Sequence, residues 1–312
     1  MAPIRPSSIT NWMTALPDKN ISLTQLTIPG THDSFCSENK LRLGLVTFNK
    51  AFAACQHDDF TVEQQLHAGI RLLDFRVEFD GKLSHGVARL DGNLYDQIRV
   101  VARFLEANPG ETVMISLKWE LEEVNWKFEV EGTPEPEGEA SRIIQRLREV
   151  EGAKWWMEST VPTLAQAAGK MVFFTRLSES AKEGIRYQPG DEKLNDPHAP
   201  YASQDNYNMQ SVEGAGQRKW SQYVHPFIER ALATPTDGVL YFNFLSAYAG
   251  DGKPWGPNAT PAEIAHVNNS MLGGFTHNVI QRPGIHRMGL LLMDFPPPDV
   301  IRLLVDTNFP VV

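Results

Sequence analysis

The sequence lacks any uninterrupted run of about 20 apolar residues, the length a helix needs to cross a membrane. It also lacks a basic cluster: the net charge is −9, and lysine and arginine are scattered along the chain. A positive stripe is required to bind nucleic acid, so this composition excludes a nucleic-acid partner and argues against strong electrostatic attraction to anionic membranes. The first residues lack the apolar core of a signal peptide. We therefore expect either a cytoplasmic protein or a mature form with an added methionine.

Cysteine is scarce, because the chain has only Cys36 and Cys55. A disulfide between them would close a loop of about 20 residues and contribute about 3 kcal/mol in the chain-entropy model. The alternative is a pair of buried, reduced thiols. The sequence leaves both states open, and intact mass with and without reductant would distinguish them.

Neither an internal repeat nor a linker divides the 312 residues into two cores. A chain of this length can bury roughly 75% of its unfolded surface in one core. Hydrophobic periodicity predicts strands at 24–28, 70–79, 112–117, 171–175, 239–244 and 288–293, and helices at 8–16, 61–68, 93–108, 141–150, 217–233, 262–272 and 299–307. Strands that alternate with helices favour a closed parallel sheet. The composition of 120–139 predicts an acidic excursion, and that of 183–203 predicts a long loop.

The first motif is Leu-Thr-Ile-Pro-Gly-Thr-His-Asp-Ser, which starts at residue 26. It reads as a short strand that Pro29-Gly30 breaks, since glycine can turn the chain sharply. His32 and Asp33 then follow the strand at the position where proton transfer would be possible. The alternative is a polar turn with a surface histidine.

The second motif is GIRLLDFRVEFDGKLSHG, which starts at residue 69. In an extended strand Asp74, Arg76 and Glu78 share one face. Three charges on one face are costly unless they are paired or line a wet cavity. Asp-Gly at 80–81 predicts a hairpin whose return segment ends in Leu-Ser-His-Gly. The alternative is a half-exposed antiparallel strand with a solvated charged face.

Charged residues follow three of the predicted buried strands: Lys118, Arg176 and Asp294. In a parallel barrel, residues at these ends line the functional site, although each could also be a simple strand terminus. Residues 36–55 interleave apolar and basic side chains. That pattern favours a helix packed on the barrel over the alternative, an interfacial helix at the mouth of a site.

Eight segments carry a resemblance to a known family. In order they are PGTHDS, LLDFRVEF, LSHG, MISLKWE, KMVFFTRLS, SQDNYNM, YFNFLSA and LLMDF. This ordered set resembles the bacterial phosphatidylinositol-specific phospholipases C, the X-domain family, over nearly the whole chain. The resemblance implies an α/β fold, a single irregular TIM-type barrel that is distorted and partly incomplete. It also implies one catalytic domain spanning residues 1–312.

The resemblance implies cleavage of phosphatidylinositol by attack of the inositol 2-hydroxyl on phosphorus, giving diacylglycerol and a cyclic inositol phosphate. It implies that His32 is the base and that Asp294 orients it. His85 would be the acid, assisted by Asp33. Arg76 would contact the phosphate, which a guanidinium can bind through two oxygens. Imidazoles suit both transfers because they titrate near neutral pH.

The resemblance also implies a set of residues that bind the inositol headgroup: Asp74, Lys118, Arg176, Asp205 and Tyr207. Trp255 falls where the family has a membrane-touching tryptophan, although an ordinary loop tryptophan packed on the core is an equal alternative. Ser84 departs from the pattern, because many relatives have a histidine there. A contact to the acid is therefore expected to differ.

Calcium-dependent relatives carry an acidic ligand where this chain has Arg76, and another acid near Lys118. Calcium takes about six to eight oxygen ligands, and a guanidinium and an ammonium supply none. We therefore expect a metal-independent enzyme with no cofactor. The expected partner is phosphatidylinositol in a membrane surface, met by transient peripheral contact of a monomer. Inositol-containing lipid anchors are further candidates, and the resemblance favours an extracellular location.

Two other functions remain open. The first is a related barrel phosphodiesterase that acts on glycerophosphodiesters or sphingomyelin, using a metal held by acidic ligands. The second is a catalytically silent module that binds inositol or lipid headgroups. The product separates the first alternative from the main prediction, and the loss of a catalytic group would be needed for the second.

Overall fold

The computed structural model describes residues 8–42, 53–124, 130–178, 183–250, 259–284 and 286–309. The strands in these residues are β1 (Ile28–Thr31), β2 (Leu41–Arg42), β3 (Leu72–Val77), β4 (Lys82–His85), β5 (Ala88–Asn93), β6 (Val113–Trp119), β7 (Glu122–Val124), β8 (Val130–Gly132), β9 (Trp155–Trp156), β10 (Met171–Thr175), β11 (Ile185–Arg186), β12 (Glu192–Lys193), β13 (Tyr201–Gln204), β14 (Leu240–Phe244) and β15 (Leu290–Met293). The α-helices are α1 (Val62–His67), α2 (Leu94–Ala107), α3 (Glu139–Glu151), α4 (Leu164–Ala167), α5 (Ala215–Arg218), α6 (His225–Ala233), α7 (Pro261–Val279) and α8 (Pro298–Asp306).

Eight parallel strands form a barrel in the order β11-β10-β6-β3-β1-β15-β14-β13. Within the described residues β11 and β13 share no ladder, so the barrel is open between them. The α/β fold predicted from the sequence, an irregular and incompletely closed TIM-type barrel, is therefore confirmed.

The strands are apolar on both faces because side chains pack inside the barrel and under its helices. Consecutive residues alternate between two apolar clusters: Leu72 belongs to the cluster that also holds Phe242, and Leu73 to the cluster that holds Ile98 of α2. The inner cluster continues into Trp12 and its neighbours, which cover one end of the barrel. The opposite end, where the parallel strands finish, is left for polar groups.

The first strand corrects one detail of the sequence interpretation. Pro29 and Gly30 lie inside β1 and do not break it. Pro29 lacks a backbone N–H, which costs β1 only one ladder hydrogen bond. Its carbonyl still accepts from Arg71 N at 2.9 Å. A Cβ on Gly30 would meet Leu72 Cβ at 2.9 Å, so this glycine permits close strand packing. The chain turns later, at Asp33, whose φ is 38°.

The segment 183–203 was predicted as one loop and instead contributes β11, β12 and β13. Two of these strands complete the count of eight that the sequence pattern left short. These strands are only two to four residues long, which is too short to give a periodic signal.

Two further segments are described only in part. Leu41–Arg42 pairs as a strand with β5, so the start of the predicted helix is wrong there, and residues 43–52 lie outside the described residues. The acidic excursion contains the antiparallel pair β7 and β8. Its residues 125–129 also lie outside the described part. Among the described residues, no helix combines the length and apolarity that crossing a membrane would need.

An ion pair lies at the covered end of the barrel. Arg71 donates to Glu111 from Nε at 3.0 Å and from Nη2 at 2.8 Å, and both side chains are 0% exposed. Glu111 also accepts from Thr14 N at 2.7 Å and from Met13 N at 3.3 Å. The pair therefore fixes the N-terminal segment to the base of β3 and β6.

Candidate active site

His32 directly follows β1 and is held by four neighbours. Its backbone N donates to Met293 O at 3.0 Å, and its carbonyl accepts from Gln56 Nε2 at 2.7 Å. Its Nδ1 lies 2.8 Å from Asp294 Oδ1, where β15 ends, and its Nε2 contacts a guanidinium nitrogen of Arg76. An arginine can only donate, so Nε2 is the acceptor and Nδ1 carries the proton.

The charge state of His32 follows from its burial. Burial lowers the pKa of His32 well below its ordinary value, and the positive charges of Arg76 and His85 lower it further. The imidazole is therefore neutral at physiological pH and can accept a proton. Burial also raises the pKa of Asp294 well above its usual range.

His85 ends β4 and faces the same space. Its ring centroid lies 6.1 Å from that of His32, edge to face. Its Nδ1 donates to Ala53 O at 2.8 Å, and its Nε2 lies 4.0 Å from Asp33 Oδ2. Burial lowers the pKa of His85, but the charges of Cys36 and Asp33 outweigh burial and raise it to about 10. At physiological pH, therefore, His85 is protonated and His32 is neutral.

Arg76 projects from β3 and contacts His32. Its Nη1 donates to Glu120 Oε1 at 3.0 Å and Oε2 at 2.9 Å. Its Nε lies 3.7 Å from Asp74 Oδ2 and 3.9 Å from Asp33 Oδ2, without a hydrogen-bond partner. Burial lowers the pKa of Arg76, yet these carboxylates raise it far above the ordinary value, so the guanidinium stays charged.

Glu120 was missed as a site residue, because the sequence placed it at the start of the acidic excursion. It is buried and binds Arg76, the ammonium of Lys118 and Gly86 N, the last at 2.6 Å. Burial raises the pKa of Glu120, but the cations Arg76 and Lys118 outweigh it and lower the pKa well below the usual value. The signal was its position two residues after Lys118, which puts both on one side of an extended chain.

Asp74 helps to position both Asp33 and Arg76. Its Oδ1 accepts from Ser116 Oγ at 3.0 Å, and Ser116 Oγ lies 2.9 Å from Tyr187 Oη. Its Oδ2 lies 3.4 Å from Asp33 N. Asp74 therefore positions the turn that carries Asp33 as well as the guanidinium of Arg76.

The predicted headgroup residues divide into two groups. Arg176 lies near the histidines: its Cζ is 5.7 Å from the ring of Phe244, which is 6.2 Å from the ring of His32. Its Nη1 is buried without a hydrogen-bond partner. Asp205 is partly buried just after β13. Tyr207 is 55% exposed, 6.0 Å from the ring of Tyr248. Among the described residues neither Asp205 nor Tyr207 bonds to the histidine pair. Trp255 lies outside the described residues.

Two cysteines that the sequence had not placed at the site lie beside His85. Cys36 Sγ is 3.6 Å from His85 Nδ1, and Cys55 Sγ is 4.0 Å from its Nε2. Both are free, buried thiols in this structure. The pKa of Cys36 is lowered to about 5, since its hydrogen bond to Cys55 and the charge of His85 outweigh burial. The sequence could not bring these residues together, because His85 is far from both along the chain.

Lys219 is a further buried charged residue beside the site that the sequence analysis did not identify. It starts a π-helical turn (Lys219–Val224) between α5 and α6 and is fully buried. Its Nζ donates to Asn206 O at 2.9 Å and Gln204 Oε1 at 3.4 Å. Burial lowers the pKa of Lys219 to about 7, opposed only in part by the charges of Asp205 and Asp294.

This pKa gives a prediction for the variant Lys219→Met. The unfolded chain holds the extra proton up to about pH 10.5 and the folded chain only up to about pH 7, so stability falls as pH drops through that window. Methionine carries no proton, so its advantage over lysine should be larger by a few kcal/mol at about pH 6.5 than at about pH 9.5. Urea unfolding at both pH values measures this difference. The exposed Lys193→Met is the matched control, and an equal advantage at both pH values would contradict the prediction.

Comparison with known proteins identifies relatives of this chain by sequence. No family model matches the chain. The 1-phosphatidylinositol phosphodiesterase of Listeria monocytogenes is 27% identical over 316 residues, which cover 98% of this chain and 87% of the relative. A protein of the same name from Staphylococcus aureus is 23% identical over 321 residues, with 96% and 94% covered.

Solved structures give the same result for the fold. The phosphatidylinositol-specific phospholipase C of Listeria monocytogenes superposes with a TM-score of 0.73 at 23% identity, covering 96% of this chain and 99% of the other. A variant of the Staphylococcus aureus enzyme gives 0.73 at 24% identity, with 96% and 98% covered. By sequence along almost its whole length this chain is a homologue of bacterial 1-phosphatidylinositol phosphodiesterases, and its open barrel has the fold of the solved bacterial phosphatidylinositol-specific phospholipases C.

Proposed function

We propose that the protein cleaves phosphatidylinositol into diacylglycerol and a cyclic inositol phosphate, as one catalytic domain and without a metal. The observation that carries the proposal is the pair of imidazoles, neutral His32 and protonated His85, with ring centroids 6.1 Å apart beside Arg76. Its relatives from Listeria and Staphylococcus carry the name 1-phosphatidylinositol phosphodiesterase.

The reaction needs one proton removed and one proton supplied. His32 Nε2 accepts the proton of the inositol 2-hydroxyl as that oxygen attacks phosphorus, and Asp294 holds Nδ1 so that the lone pair points at the substrate. His85 donates its proton to the leaving oxygen of diacylglycerol, and Asp33 stabilises the charged ring at 4.0 Å. The different protonation states of the two rings, His32 neutral and His85 charged, support this division of roles.

Arg76 stabilises the negative charge that develops on the phosphate oxygens during attack. Its Nε is a buried donor without a partner, and its contact to His32 Nε2 would be exchanged for a phosphate oxygen when the substrate binds. Glu120 holds the other side of the guanidinium through two hydrogen bonds, which fixes its plane. A buried donor left unpaired is costly unless a ligand satisfies it.

The inositol ring would lie between Arg76 and the remaining polar side chains. Arg176 Nη1 is a second buried donor without a partner and would bind a hydroxyl, and Lys118, Asp74, Asp205 and Tyr207 would complete the contacts. Tyr207 is exposed enough to stack on the ring. We further propose transient peripheral contact of a monomer with the membrane, through Trp255 and neighbouring loops, and inositol-containing lipid anchors as further substrates.

The test of this proposal is phosphorus NMR of the products formed from phosphatidylinositol vesicles with EDTA present. The expected product is a cyclic inositol phosphate, formed at the same rate with and without chelator, because Glu120, the acid nearest Lys118, is already occupied by two cations and a backbone donor. Activity lost with EDTA and restored by calcium would contradict metal independence. Cleavage of sphingomyelin or a glycerophosphodiester in place of phosphatidylinositol would contradict the substrate, and inositol binding without any product would indicate a silent module.

A further inference from the structure

We propose that Asp33, Cys36, Cys55 and His85 form a binding site for a soft divalent cation, with Zn²⁺ as the best match. One ligand atom from each residue, two sulfurs, a nitrogen and a carboxylate oxygen, lies within 4.8 Å of all the others. Ligand atoms around a tetrahedral zinc lie about 3.3–3.8 Å apart, so small side-chain adjustments would close the set. Metal binding at this site does not depend on the proposed function; only the predicted effect of the metal on turnover rests on it.

The histidine presents the nitrogen that a metal needs. His85 Nδ1 donates to Ala53 O at 2.8 Å, so Nε2 supplies the lone pair for the metal once the ring releases its second proton to solvent on metal binding. Nε2 lies 4.0 Å from Cys55 Sγ and 4.0 Å from Asp33 Oδ2. Metal-binding histidines almost always donate their other N–H to a carbonyl or carboxylate in this way.

The carboxylate supplies an independent observation. Asp33 Oδ2 is buried and has no hydrogen-bond partner, and Asp33 as a whole is 1% exposed. Native proteins seldom leave a buried polar atom unsatisfied, so the atom points to a missing ligand. Its nearest charged neighbours are Arg76 Nε at 3.9 Å and the ring of His85.

The donor set selects the kind of cation. Two thiolates, an imidazole and one carboxylate form a soft four-coordinate set, which suits zinc and excludes calcium and magnesium, since these take six or more oxygens. Two thiolates and a carboxylate give three negative charges, so a bound divalent ion leaves one negative charge beside Arg76. The remaining negative charge faces Arg76, whose Nε lies 3.9 Å from Asp33 Oδ2.

Occupation of this site and cleavage of the substrate exclude each other. The metal would take the Nε2 lone pair of His85 and the free oxygen of Asp33, the two groups proposed to protonate the leaving oxygen. Bound Zn²⁺ would therefore inhibit turnover, whereas the catalytic reaction itself needs no metal.

The test uses Co²⁺ as a spectroscopic probe for the reduced, metal-free protein. One equivalent should give a near-ultraviolet sulfur-to-cobalt charge-transfer band and visible bands of a tetrahedral ion, and Zn²⁺ should displace it. Cys36→Ser, Cys55→Ser and Asp33→Asn should each weaken binding by about 100-fold or more. His198→Ala, which removes an exposed histidine far from the cluster along the chain, is the matched control and should bind as the parent does.

The outcomes separate this site from the alternatives. Cobalt spectra without sulfur bands, or binding unchanged in Cys36→Ser, would overturn the proposal. Binding that is lost in Asp294→Asn but kept in Cys36→Ser would place the ion on His32, Cys55 and Asp294, the other cluster with suitable geometry. Near-ultraviolet circular dichroism of each variant before metal addition shows whether its fold is intact, and Asp33→Asn decides the case if a cysteine variant is unfolded.

Turnover is measured in the same samples, relative to each metal-free variant. Zn²⁺ should inhibit the parent and His198→Ala, EDTA should restore the rate, and the concentration for half inhibition should rise about 100-fold in Cys36→Ser. Cobalt binding in a protein that cleaves no phosphatidylinositol would contradict the proposed function and leave the metal site standing. Turnover that is insensitive to Zn²⁺ bound at one equivalent would overturn the inhibitory role.

Discussion

Replacing His32 by alanine is expected to lower the turnover of phosphatidylinositol by about 10²–10⁴-fold, the usual contribution of one positioned proton transfer. Without the imidazole, the 2-hydroxyl has no acceptor for its proton at the place where β1 ends. Asp294 cannot replace it directly, because it sits behind the ring, 2.8 Å from Nδ1. Initial rates on phosphatidylinositol vesicles, together with equilibrium binding of myo-inositol, measure the effect.

Binding should be affected much less than turnover, because the proposed headgroup contacts come from Arg176, Lys118 and their neighbours. The matched control is His57→Ala, which removes an exposed histidine whose ring packs on Phe295 at 5.0 Å and not on the pair. Its rate should equal that of the parent. If His32→Ala and His85→Ala both keep full cleavage, the two-imidazole mechanism is wrong.

The predicted fold depended on periodicity, and it succeeded where the periodic signal was long. α2 was predicted at 93–108 and found at Leu94–Ala107, because its apolar residues recur at helical spacing over four turns. β10 and β14 were recognised as strands because they are predominantly apolar, and they are fully buried, as expected for strands buried on both faces, although Asn243 lies within β14. The short strands β11 and β13 were missed, because their neighbours in the barrel, and not their own sequences, make them strands.

The site was predicted less completely, for a related reason. His32, Asp33, Arg76, His85 and Asp294 are brought together as expected, but their roles remain predictions. Glu120 was assigned to an excursion because the residues after it are acidic, whereas its own partners are the cations Arg76, from β3, and Lys118, two residues before it on β6.

The thiols were missed for the same cause. Cys36 and Cys55 contact His85 through a turn and a loop that carry no periodic pattern. Contacts of this kind depend on tertiary packing, so a single sequence gives no signal for them.

Replacing Glu111 by glutamine is expected to lower the free energy of unfolding by about 3–5 kcal/mol, because it leaves the guanidinium of Arg71 buried without a counter-charge. Arg71 would keep its bonds to Leu66 O at 2.8 Å and Ile70 O at 2.7 Å, but these neutral carbonyls do not compensate a full charge. The glutamine amide also offers one acceptor where the carboxylate offers two, so one of the bonds to the N-terminal segment is lost.

Urea unfolding followed by tryptophan fluorescence measures this loss, and Trp12, which is fully buried beside the pair, reports on it. Glu149→Gln is the matched control, because it breaks an exposed pair with Arg146 and should leave the midpoint unchanged. Arg71→Met combined with Glu111→Leu should recover part of the loss, since removing both charges removes the uncompensated one. Equal midpoints for Glu111→Gln and Glu149→Gln would mean that water reaches Arg71, and the pair would then not be what fixes the N-terminal segment to the barrel.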